Sequence, residues 1–191
     1  MILEIFDVQH GACALVTTSN GKRILIDCGD NSTTGWEPGL ALRRRGITAI
    51  ERLIVTNYDE DHVSGYQNLL KNVVVESLQR NRRVDAATIR HLKSEDGMGL
   101  GIRTLADTID NYFVGPDQPD DFGDTTIHTF SHSYGPPPLG FDDENNLSLV
   151  VFLTCGDHRI IFGAVRNAVG IRLARSPSSM KVSFQAARSI G

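Results

Sequence analysis

Four consecutive residues, Asp59-Glu60-Asp61-His62, place three carboxylates and an imidazole just after an apolar, β-branched run, Leu53-Ile54-Val55-Thr56, and Gly65 then turns the chain. Carboxylate and imidazole are the side chains that hold a divalent metal ion able to activate water. A buried strand delivering them would set them at its C-terminal edge, where α/β proteins build their sites. Taken alone, the acidic run reads equally well as a solvated turn or as a metal site. The elements around it decide between the two.

Those elements begin with an apolar strand over residues 2–8, a turn at His10-Gly11 and a second apolar strand over 12–17. Asn20-Gly21 is a hairpin signal. A third strand, Arg23-Ile24-Leu25-Ile26-Asp27, ends at Cys28-Gly29-Asp30. The stretch 31–39 is rich in loop formers. A short helix over 40–45 is closed by Gly46 as a C-terminal cap. The strand over 50–56 then feeds the acidic run, and a helix starts over 65–71. Farther on, 84–93 reads as a helix, 114–123 as a Pro-, Asp- and Gly-rich loop, and 125–130 as a strand before Ser131-His132-Ser133. No internal repeat appears.

A chain of 191 residues with 40% hydrophobic and 22% charged residues has the composition of one soluble globular domain. No apolar run approaches the roughly 20 residues that span a bilayer. Met1-Ile2-Leu3-Glu4-Ile5-Phe6 reads as a strand and lacks the basic start and cleavage site of a signal peptide, so a cytoplasmic location is expected. Cys13, Cys28 and Cys155 show no Cys-x-x-Cys spacing and sit in or beside apolar segments. They read as buried free thiols, not as a disulfide framework or a thiolate metal site. The net charge of -4 is uneven. Residues 164–191 hold Arg166, Arg172, Arg175, Lys181 and Arg188 and no acid, which leaves -9 on residues 1–163. An acidic body disfavours a nucleic-acid grip, which needs clustered Lys and Arg. The basic tail has Phe184 as its one aromatic and makes a weak case for that role.

The segment Asn57-Tyr58-Asp59-Glu60-Asp61-His62 resembles the metal signature of the metallo-β-lactamase superfamily, His-x-His-x-Asp-His. It is closest to the His-x-Asp-x-Asp-His form of the hydrolase-like domain of DNA-uptake (competence) channel proteins, from which only Asn57 departs. Three further blocks are similar to that branch: the strand-turn-strand over 6–16, Ile26-Asp27-Cys28-Gly29, and the Asn-x-Ser-Leu-Val strand at Asn146-Leu147-Ser148-Leu149-Val150 leading to Arg159-Ile160-Ile161-Phe162-Gly163. The four blocks stand in the family's order across residues 1–163. The fold this implies is α/β (α+β), a metallo-β-lactamase-like αββα sandwich, incomplete at its C-terminus.

The resemblance also implies a site. Asp61 and His62 match the second metal position, with Asp61 as the catalytic residue that holds the ion and orients its water. Asp59 and, weakly, Asn57 match the first position. A carboxamide oxygen is a poor zinc ligand beside imidazole, so Asn57 implies weaker binding and a drift from Zn²⁺ toward Mn²⁺ or Mg²⁺. His132 is the candidate for a further ligand, although a histidine beside a proline run also reads as surface loop. Asp27 and His10 would brace the ligands from behind. His128 reads as structural; His91 and His158 read as exposed.

After Phe162-Gly163 the family places a bridging aspartate and later a histidine. Here Ala164-Val165-Arg166 follows, and no histidine comes after His158. Residues 1–163 are therefore expected to form a partial domain, and 164–191 a basic, non-native tail, as a reading-frame shift would produce. The alternative is a divergent C-terminus with a helix over 167–175. A partial sandwich would expose apolar surface and sheet edges and favour homo-oligomers. The expected function is a metal-dependent hydrolase acting on an ester or phosphodiester, with weak or lost activity. The alternative is a degenerate, non-catalytic binding or interaction module on the same fold.

Overall fold

The computed structural model describes residues 1–94, 97–111, 121–131 and 148–165, together with the strand residues 168–169, 172–174 and 181–185. Strands β1 (Ile2–Phe6), β2 (Ala14–Thr17) and β3 (Arg23–Ile26) form an antiparallel meander. Gly21 turns the chain between β2 and β3 with φ of 82°, a conformation open to a residue without Cβ. Helix α1 (Pro38–Arg44) starts on a proline, which has no N–H to leave unpaired at a helix's first turn, and Gly46 ends it at φ 76°.

The single strand expected over 50–56 divides in two. β4 (Ala49–Ile50) pairs with β6 (Val74–Val75), while β5 (Arg52–Ile54) joins the main sheet, parallel to β3, with Ile26 opposite Ile54. β7 (Leu78–Gln79) pairs with β5. Between them run helices α2 (Glu60–Val63) and α3 (Tyr66–Asn72); α4 (Ala86–Leu92) and α5 (Leu100–Thr108) follow. The main sheet has the order β14-β1-β2-β3-β5-β7, where β14 (Lys181–Gln185) lies parallel to β1.

A second sheet has the order β13-β10-β9-β8, built from β8 (Thr125–Ser131), β9 (Leu149–Cys155), β10 (His158–Phe162) and β13 (Arg172–Ala174). Two short strands, β11 (Ala164–Val165) and β12 (Ala168–Val169), pair with each other. The helix considered for 167–175 is not formed: the described residues there are strand. Thus the stretch after residue 163 supplies an edge strand, β14 or β13, to each of the two larger sheets.

The alternation of side chains along each strand sorts the core into two layers. Leu3, Val16, Ile24, Ile26 and Ile54 of the main sheet meet Leu149, Val151, Leu153, Ile160 and Phe162 of the second. On the opposite face, Leu15, Leu25 and Leu53 pack against Leu42, Tyr66, Leu69, Ile89, Ile102 and Leu105 from the helices. Strands β3 and β5 are buried on both faces, which is why each reads as an apolar run after its leading arginine. Each fully buried Leu or Ile contributes about 1.5–3 kcal/mol.

The layers among the described residues are therefore helices, sheet and sheet. The outer face of the second sheet carries Phe130 (61% exposed), Val150 and Ile161. His158, expected on the surface, is buried: it is the first residue of β10, opposite Cys155, and shares the inward side of the strand with Ile160 and Phe162. Among the described residues, no helix is long and apolar enough to cross a membrane.

Candidate functional site

β3 and β5 run parallel and end at the same edge, so the residues that follow them face each other. Asp27 follows β3 directly and Thr56 lies two residues past β5. Asp27 takes φ of 56°, left-handed, where aspartate is among the few tolerated side chains. Its amide donates to the Ile54 carbonyl at 2.8 Å. Its carboxylate, almost fully buried, accepts from the Thr56 amide at 2.7 Å on Oδ1 and from Thr56 Oγ1 at 2.5 Å on Oδ2. Oδ2 also lies 2.9 Å from His62 Nδ1.

An ionised carboxylate only accepts, so the pair places a proton on His62 Nδ1 and leaves the Nε2 lone pair of the neutral ring for other work. Burial works against the imidazolium. The hydrogen bond and charge of Asp27, with Asp61 and Asp59 behind it, outweigh that and raise the His62 pKa above its ordinary value.

His62 sits on α2, a single turn held on both sides. Its amide donates to the Asp59 carbonyl at 3.0 Å, and its own carbonyl accepts from the Cys28 amide at 2.8 Å. Gly65 N donates to the Cys28 carbonyl, and Ser64 Oγ bridges the Asp30 amide and carboxylate. The loop after β3 and the loop after β5 are thereby one unit. The Asp61 carbonyl is packed against Gly11 and Gly29, with no room for a Cβ at either. His10, in that same turn, is exposed and makes no hydrogen bond to Asp27, Asp59 or His62 among the described residues. His132 lies outside the described residues. His128 is exposed on the outer face of β8, with its ring 6.4 Å from Phe152.

Asn57 and Asp59 form a second cluster. Asn57 Nδ2 donates to Asp59 Oδ2 at 2.5 Å, and Asn57 Oδ1 accepts from the Tyr58 amide at 2.9 Å. The other Asp59 oxygen accepts from Lys93 Nζ at 2.6 Å. Lys93 is 6% exposed. Glu60, the middle acid of the run, turns away: its two oxygens accept from the Gly101 and Ile102 amides at 2.8 and 3.0 Å and cap α5. Among the described residues no three His, Cys, Asp or Glu side chains come together as a metal-holding group.

A cavity of about 260 Å³ opens beside the Asp27–His62 pair, where the ends of β1, β3 and β10 meet. His62, Asp27 and Thr56 line its polar side, and Phe6, Val8 and Phe162 its apolar side. Cys13 also lines it, but burial pushes the Cys13 and Cys28 thiols well up, with Asp27 adding to the effect. Neither is a ready thiolate.

Three residues of the site were not foreseen. Thr56 and Glu60 lie inside the stretch that was singled out, but a partner in space is not written in a chain order. Lys93 closed a predicted helix, and nothing in the sequence joined it to Asp59.

The family model of the metallo-beta-lactamase superfamily matches residues 7–162. No curated protein sequence matches the chain. Among solved structures, the chain is similar to Zn(2+)-bound PqqB from Methylobacterium extorquens, at 11% identity and a TM-score of 0.45. The similarity covers 80% of this chain and 52% of that one, so the chain spans about half its length.

Proposed function

As the chain belongs to the metallo-beta-lactamase superfamily, we propose that it is a metallo-hydrolase-type domain in which the two-metal centre is not built, so that it holds an ester- or phosphate-bearing ligand beside His62 without turning it over. The observation that carries this reading is the direction of Asn57. Its carboxamide gives an N–H to Asp59 and its oxygen accepts from the Tyr58 amide, so it turns a donor, not an oxygen, toward the Asp59 carboxylate. With Asp59 already accepting on both oxygens, the first position does not fit a divalent ion. No reaction step is drawn through one there.

What remains is the other half of the motif. Asp27 and Thr56 hold the His62 ring in one orientation and one tautomer. In the neutral form Nε2 accepts a hydrogen bond. In the protonated form, which the raised pKa favours, it donates one to an anionic oxygen. The DNA-uptake-like blocks point to a phosphodiester as the ligand class, and the cytoplasm fits buried free thiols.

A second reading, slow hydrolysis through Asp61 and His62 alone with a zinc, manganese or magnesium ion, is favoured by the Asp27–His62 bond, since a buried carboxylate on Nδ1 also orients a metal-binding imidazole. A panel of phosphodiester, carboxylic ester and thioester substrates with added Zn²⁺ or Mn²⁺ separates the two. The expected result is no turnover that His62→Ala removes. A rate abolished by His62→Ala would establish the second reading.

A further inference from the structure

We propose that the Lys93 ammonium is the resident cation of the Asp59 position, a side chain built into the fold where the family motif would bring a metal ion. Lys93 Nζ lies 2.6 Å from Asp59 Oδ1, and Lys93 is 6% exposed, so its charge has been drawn out of water and set on that carboxylate. Asn57 Nδ2 closes the other oxygen. The neutral donor and the cation thus each engage one oxygen of the carboxylate, which an ion would otherwise draw on.

The side chain is delivered by a fixed element. Lys93 follows α4, and its amide donates back to the Ile89 carbonyl at 3.0 Å. Ile89 is fully buried in the helical layer of the core. A second tie runs alongside: Glu60 caps α5, the helix after Lys93, so the helix that follows Lys93 is anchored to the motif loop. A divalent ion binding Asp59 must therefore displace an ammonium that has little access to water, leaving a buried charge without that partner.

This inference goes beyond the ligand-holding reading of the site and does not stand or fall with it. Hydrolysis through His62 would end that reading and leave Lys93 in place.

The test is zinc content by native mass spectrometry on folded chains after zinc loading and desalting. Asn57→His/Lys93→Ala is expected to carry one zinc more than the wild type and one more than Asn57→His alone, and adding Asp59→Ala should remove it. Three results overturn the proposal: Asn57→His alone gains the ion, the folded double variant gains none, or the wild-type chain already holds an ion that Asp59→Ala removes. If circular dichroism shows the double variant unfolded, Asn57→His/Lys93→Met keeps the buried stem without the ammonium and is read by the same outcomes.

Discussion

Asp27→Ala is expected to cost about 3–5 kcal/mol, the range for removing one partner of a buried pair. For a chain of this size that is a fall in melting temperature of roughly 6–20 °C. The reason is the number of groups that the one carboxylate satisfies. Without it the Thr56 amide, the Thr56 hydroxyl and His62 Nδ1 all lose an acceptor in a place water barely reaches. Alanine is also a poorer fit to a φ of 56° than aspartate.

The penalty depends on pH. The His62 pKa is higher folded than unfolded, so the imidazolium–carboxylate contribution is complete below the unfolded value of about 6.5 and fades as pH rises through the folded one. Asp27→Asn keeps the shape and removes the charge. Its loss relative to the wild type should be larger at pH 6 than at pH 9. Equal losses at both would show that Asp27 acts through its hydrogen bonds to Thr56 alone.

Gly29→Ala is expected to be the second severe change, and insensitive to pH. A Cβ there would run into the Asp61 carbonyl oxygen and lie 3.1 Å from that of Ala12. Both neighbours are backbone and cannot rotate aside. The Gly29 amide already donates to Ala12 O at 2.9 Å, so moving the strand end breaks that bond as well. The expected loss is near the top of the roughly 1–3 kcal/mol range for overpacking. Thermal melts of Gly29→Ala and Asp27→Asn at the two pH values distinguish a steric lock from an electrostatic one. A melt of Gly29→Ala within a degree of the wild type would mean that the Asp61 loop is not packed on the β3 end.

Much of this was legible in the chain because the main sheet is buried on both faces. Leu25-Ile26 and Leu53-Ile54 are apolar without a break, so the residues at their ends, Asp27 and the Asp59–His62 run, could be placed at one edge. Asn20-Gly21, Gly46 and the helix after Gly65 followed from local turn and capping chemistry.

Helix α5 was not legible. It opens Gly99-Leu100-Gly101, a poor helix start by propensity, yet both glycines are where Glu60 and Val63 approach too closely for a side chain. His158 read as exposed, but β10 begins at once after Gly156-Asp157, with His158 on its inward face. The Lys93–Asp59 pair joins residues 34 positions apart, and only the packing of α4 brings them together.

The central claim is that the Asp59–His62 run does not build two cation positions, because one carboxylate is already neutralised from within. Zinc stoichiometry of the wild-type chain, saturated with Zn²⁺ and desalted, tests it most directly. We expect no more than one zinc per chain, and none that Asp59→Ala removes. Two zinc ions per chain, one lost with Asp59→Ala and the other with His62→Ala, would contradict it.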